Sequence, residues 1–147
     1  MTSTNESAWA VRIPGALLCV AVSVIHVIDQ GGFPGAKTPG YVGAGYYVLE
    51  IASVVAAILL LSGGVRPGWA LATGVAAGPI IGYVLSRGPG LPGYGDDRGN
   101  WTEPLGVLSL LVEGILLILS ATYLLAGLRR GAPAQVRQTP AGSEAGR

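Results

Sequence analysis

Apolar residues fall in four long runs along this chain, each interrupted by a short stretch rich in Gly, Pro and charge. A span of about 20 mainly apolar residues is what a helix needs to cross a bilayer, and the runs predict four such helices. The first covers about 9–30, where Arg12 precedes the run at residues 13–28. A positive residue leading an apolar run also suits a signal peptide, but no A-x-A cleavage pattern follows and Leu18 before Cys19 does not suit a lipoprotein site, so a membrane helix is the expectation. The run is short, so flanking residues complete the span. GGFPGAKTPG (31–40) is a loop by its Gly and Pro content, and the second helix is expected at 41–61. SGGVRPG (62–68) reads as a tight connection. The third helix follows at 69–86, with Pro79 inside it. A long loop then leads to a fourth helix at 103–128. Thr102 or Asn100 is placed to cap it, with Pro104 in the first turn, where its missing N–H costs nothing.

This pattern predicts an all-α fold: an integral membrane bundle of four transmembrane helices over residues 11–130. A polar segment (1–10) precedes it, and a tail (131–147) follows that is disordered by composition. Half of the 147 residues are hydrophobic and 12% are charged, about half the share in a soluble domain, which carries roughly 25%. Lys and Arg near helix ends set orientation. Arg12, Arg66, Arg129, Arg130, Arg137 and Arg147 would share one side, and Lys37, Arg87 and Arg98 the other. That bias predicts both termini in the cytoplasm and both longer loops outside.

Net charge is +1, so no global field points to nucleic acid. The single cysteine, Cys19, excludes an internal disulfide, a CxxC redox pair and a cysteine zinc site. The single histidine excludes bis-histidine haem within one chain. Arg outnumbers Lys eight to one, a coding bias expected of a GC-rich bacterial genome, and the expected location is a bacterial plasma membrane.

Ionisable groups at membrane depth cost about 2.5–3.5 kcal/mol on insertion scales, so they usually face the bundle and usually matter. Glu50 and Glu113 each lie nine residues inside a helix, about 13 Å from its end at 1.5 Å per residue. Both ends are on one side, so the two carboxyls are candidates for a shared pocket, where like charges would bind a proton or a cation. Polar stripes at helical spacing accompany them: Cys19, Ser23, His26 and Gln30; Tyr46, Glu50 and Ser53; Ser109, Glu113 and Ser120. Such stripes should turn inward, since lipid offers them no partner. His26 with Asp29 is either a relay or ligand pair, or an oriented interfacial histidine. Arg87 either reaches a carboxylate or anionic ligand, or snorkels to water. A metal would have to draw its ligands from His26, Asp29, Glu50, Glu103 or Glu113. Gly74, Gly78 and Gly82 form GxxxGxxxG, a pattern for close helix packing within the bundle or against a partner subunit or second copy. Leu91-Pro92-Gly93 and Trp101 give the long loop an apolar tip and an interfacial indole, as expected of a lid folded over the bundle.

LSRGPGLPG (85–93), NWTEPLG (100–106), SLLVE (109–113) and HVID (26–29) together resemble a group of small four-helix bacterial membrane proteins. The resemblance implies the fold and no particular activity. In size and helix count the chain is also similar to DoxX-type proteins, some tied to quinone-linked oxidation, an analogy of architecture alone. Nothing in the sequence has the pattern of an activated nucleophile or a complete metal site, so an enzyme ranks below the other classes. The expected function is that of an accessory or small-ligand or ion-binding membrane protein with an outward polar pocket. The alternative is a small subunit of a membrane oxidoreductase handling quinone or protons.

Overall fold

The computed structural model describes residues 3–131, so the tail at 132–147 lies outside the described residues. It contains four helices: α1 (Ser3–Asp29), α2 (Gly40–Ser62), α3 (Val65–Arg87) and α4 (Pro104–Gly131). No strand occurs among the described residues, beyond an isolated bridge between Leu91 and Tyr94. All four helices are long and apolar enough to cross a membrane, which is the build of a multi-pass membrane protein. Their outer faces are apolar along their length, as Leu17, Ile51, Ile81 and Ile118 illustrate.

Two boundaries depart from expectation for local reasons. The polar N-terminal segment is helical from Ser3 onward, while the part of α1 apolar enough to cross a membrane, Ala8–Asp29, begins where expected. The third helix, α3, starts at Val65 and takes Arg66-Pro67-Gly68 into its first turn, where a proline sacrifices no hydrogen bond. Only Gly63 and Gly64 remain between α2 and α3, and Gly63 takes the left-handed conformation (φ 103°) that closes the helix.

Neighbouring helices pack in sequence order around a ring, and α1 also touches α3 across the middle, whereas α2 and α4 do not meet. In lipid no hydrophobic force drives helices together, so close van der Waals contact must do it. The core at the end carrying the α2–α3 turn is built for that. Ala16, Cys19, Ala56, Ala57, Ala72 and Ala76 are small and buried, and they let the backbones approach. Trp69 fills the remaining space at zero exposure, stacked on Tyr123 with ring centroids 5.1 Å apart. Gly15 faces the indole so closely that a methyl there would sit 2.8 Å from Trp69 Cζ3.

Arg12 completes this end. Its Nε donates to the Leu60 carbonyl (2.6 Å) and its Nη2 to that of Leu61 (3.2 Å), and its guanidinium lies over the Trp9 ring. These carbonyls belong to the last turn of α2, which has no partners of its own and carries partial negative charge.

Candidate functional site

The opposite end of the bundle carries both longer loops and is organised by Arg87, the last residue of α3. Only 9% of this residue is exposed. Its guanidinium donates to the Asn100 carbonyl (3.0 Å) and to Ser86 Oγ (3.1 Å), lies 3.6 Å from Asp97 and 3.4 Å from Glu103, and stacks over the Tyr83 ring. It therefore does not snorkel to water. It ties the α3–α4 loop to the helix it leaves.

The loop folds back as its apolar tip suggested. Tyr41 of α2 donates to the Pro92 carbonyl (2.7 Å), and Tyr83 donates to that of Trp101 (2.7 Å). Tyr94 donates to Asp97 (2.8 Å), and burial together with that bond pushes its phenol pKa up. The cap of α4 is Glu103, not Thr102 or Asn100. Its carboxylate accepts from the backbone N–H of Leu105 (3.1 Å) and Gly106 (2.7 Å), where the helix dipole favours negative charge. Gly106 permits this packing, since a methyl there would lie 2.7 Å from Tyr83 and 2.8 Å from Glu103.

Beneath the loop lies a cavity of about 490 Å³. Leu71 and Arg87 both line it, so the stretch of α3 along its wall is about 24 Å at 1.5 Å per residue. Its walls are mostly apolar, from Leu49 and Ala52 on α2 to Leu71 and Val75 on α3. Val48, which is 68% exposed, and the exposed Gly74 and Gly78 form its rim on the flank between α2 and α3. The cavity therefore opens on the apolar side of the bundle as well as lying under the loop.

Gly74, Gly78 and Gly82 all line this space, and a methyl group added to any of them would meet nothing within 4 Å. Within the bundle the stripe thus holds no neighbouring helix close, which removes one of the two uses its spacing allows and leaves the face open to another chain. It leaves a strip of α3 bare, and the missing side chains are the cavity.

The polar groups gather at the loop end and on the inner wall. Glu113 is 1% exposed and accepts a hydrogen bond from Ser109 (2.6 Å). His26 Nε2 stands 3.7 Å from the same carboxyl oxygen. His26 Nδ1 lies 2.9 Å from the Val22 carbonyl, which can only accept, so Nδ1 carries the hydrogen and a neutral ring leaves Nε2 free toward Glu113. Asp29 also lines the cavity, accepts from the Tyr46 hydroxyl and pairs with Lys37 at 3.2 Å.

Glu50 does not join them. It sits on α2 and Glu113 on α4, the two helices that do not meet, and it is not part of the cavity wall. Its partner is Gln30 of α1, whose amide donates to it at 2.6 Å. The shared carboxyl pocket expected from equal depth is therefore absent: depth along a helix says nothing about which neighbour its face meets. Among the described residues, no three His, Cys, Asp or Glu side chains converge into a group that could hold a metal. The inward turn of the polar stripes is observed, with Ser53, Ser109 and Ser120 all buried. Four tyrosines stand on the cavity wall, Tyr41, Tyr46, Tyr83 and Tyr94, of which three carry no sequence signal. Only Tyr46 carried a signal, as a member of a polar stripe.

No known family model matches the chain, and neither a curated protein nor a solved structure matches it.

Proposed function

We propose that this is a bacterial plasma-membrane protein that binds a small amphiphilic molecule, taken from the lipid between α2 and α3 and held with its polar end at the His26–Glu113–Ser109 cluster. The observation that carries the reading is one continuous cavity whose apolar walls end at a buried carboxyl. Ligand sites of about 300–1,000 Å³ commonly combine apolar walls with a few convergent polar groups. The arginine bias supports an outward-facing loop end and cytoplasmic termini. Docking of an accessory subunit is a separate use of the glycine face, since Gly74 and Gly78 are exposed and a methyl there meets nothing within 4 Å.

A second reading, a small oxidoreductase subunit handling quinone or protons, draws on the same apolar slot beside His26. Native mass spectrometry of the protein, extracted gently from its own membrane, tests both. A retained small molecule that disappears in Glu113→Gln supports the binding reading, and a quinone mass selects the second. A bare chain from both forms sinks the proposal.

A further inference from the structure

The charges around the cavity narrow the class of molecule it takes. We infer that the cavity selects lipophilic organic cations and that each one bound displaces a proton from Glu113; the inference rests on the cavity being a binding site.

Four carboxyl groups line it, those of Asp29, Asp97, Glu103 and Glu113, against one guanidinium, Arg87, and one imidazole, His26. Arg87 is already shared between Asp97 and Glu103, and Lys37 serves Asp29. Among the described residues no lysine or arginine pairs with Glu113, whose partners are Ser109 and His26. An incoming anion meets surplus negative charge and no free cation. A neutral head group gives Glu113 no reason to ionise and releases no proton. A cation is the one ligand class that can stand as counter-charge to an ionised Glu113, which no lysine or arginine among the described residues provides. The tyrosine rings suit it too, since aromatic faces attract cations. Two of the four already carry one, Arg87 over Tyr83 at 3.9 Å and Lys37 over Tyr46 at 5.4 Å. The opening between α2 and α3 faces lipid, so the cation must be apolar enough to arrive through the bilayer.

An unpaired carboxylate at membrane depth is costly. Glu113 therefore keeps its proton while the cavity is empty. When a cation arrives, the O–H bond breaks and the carboxylate stays as its partner. The proton leaves by way of His26 Nε2, 3.7 Å away, to water at the loop end. One positive charge enters and one departs, so the site's net charge is unchanged. Glu113 shares the cavity with His26 and Asp29 of α1, Tyr46 of α2, Tyr83 and Arg87 of α3, and Tyr94, Asp97 and Glu103 above. Of these His26 alone stands against it, so the titration that governs binding belongs to the Glu113–His26 pair.

The test uses the full chain in phosphatidylcholine nanodiscs and three probes: tetraphenylphosphonium, tetraphenylborate of the same shape and opposite charge, and the neutral quinone decylubiquinone. Saturable binding is measured over empty discs, with a pH dye in weak buffer. The expected result is tetraphenylphosphonium bound at least about tenfold more tightly than the others, a difference of about 1.4 kcal/mol. Close to one proton should be released per cation, and both signals should be lost in Glu113→Gln. Gly78→Leu puts a bulky side chain on the cavity's rim, where an added methyl touches nothing, and should block entry and abolish binding while the chain still folds. Equal or tighter binding of the borate or the quinone, abolished by Gly78→Leu, overturns the cation preference and leaves the cavity as a site. Phosphonium binding that persists in Glu113→Gln without proton release overturns the role of Glu113. No saturable binding of any probe overturns this inference and the proposed function together.

Discussion

Replacing Arg87 with alanine should release the long loop while leaving the helices in place. The guanidinium holds two loop carboxylates and a loop carbonyl, and only 9% of the residue is exposed. Removing one partner of a fully buried pair costs about 3–5 kcal/mol, because the other charge is left uncompensated. An exposed pair contributes only about 0.2–1 kcal/mol. Asp97 and Glu103 are 29% and 30% exposed, so water recovers part of their solvation when Arg87 goes. An intermediate loss of about 2–3 kcal/mol follows, equivalent to roughly 30- to 150-fold in a local opening equilibrium. Hydrogen exchange read by mass spectrometry on the protein in nanodiscs measures that equilibrium directly. Peptides covering residues 88–100 should exchange faster by that factor, while the α1 and α2 peptides at the other end stay unchanged. Arg87→Lys keeps the charge but loses the fork that reaches several acceptors, so it should fall in between. Loop exchange in Arg87→Ala equal to wild type would refute the assignment of Arg87 as the tie, and equal acceleration everywhere would show a global rather than a local role.

Gly15→Ala should destabilise the bundle by about 1–3 kcal/mol, the usual cost of overpacking, because the new methyl collides with the Trp69 ring and lies 3.3 Å from Leu60; thermal unfolding in detergent measures it, and an unchanged midpoint would mean the indole moves freely. Tyr94 gives a pH dependence: burial and the bond to Asp97 raise its pKa. The unfolded phenol ionises near pH 10, so this contribution to stability is fully present below about pH 10 and is lost as pH rises above it. Melting temperature followed from pH 8 to 11 should fall at the upper end, and Tyr94→Phe should lack that part of the fall.

The helices were legible because lipid demands long uninterrupted apolar runs, and such runs stand out in sequence. Their ends were less so. Arg66-Pro67-Gly68 has the composition of a loop, yet a proline fits a first turn without loss. Glu103 takes the cap of α4 although Thr and Asn are the commoner residues in that place. The site divided along a similar line. His26, Asp29, Arg87 and Glu113 reach the cavity, since polar residues in an apolar helix must turn from lipid, and Glu103 reaches it from the loop that Arg87 holds. Glu50 obeys the same rule but turns toward Gln30. Facing is decided by helix rotation and by which helices adjoin, and neither is written in a periodicity. The glycine stripe admits either a neighbouring helix or empty space, and within the bundle it meets empty space.

The clip made by Arg12 also bears on how the chain is put together. Its two acceptors, Leu60 and Leu61, lie in α2, and its platform, Trp9, lies in α1 itself. Nothing beyond Ser62 is needed to form it. α1 and α2 can therefore be fastened as a hairpin without any residue of α3. The Arg87 tie is equally self-contained in the second half, joining α3 to the loop and to the start of α4. Each half of the chain thus carries its own fastening, and the cavity between α2 and α3 lies along the seam where two separately fastened hairpins meet.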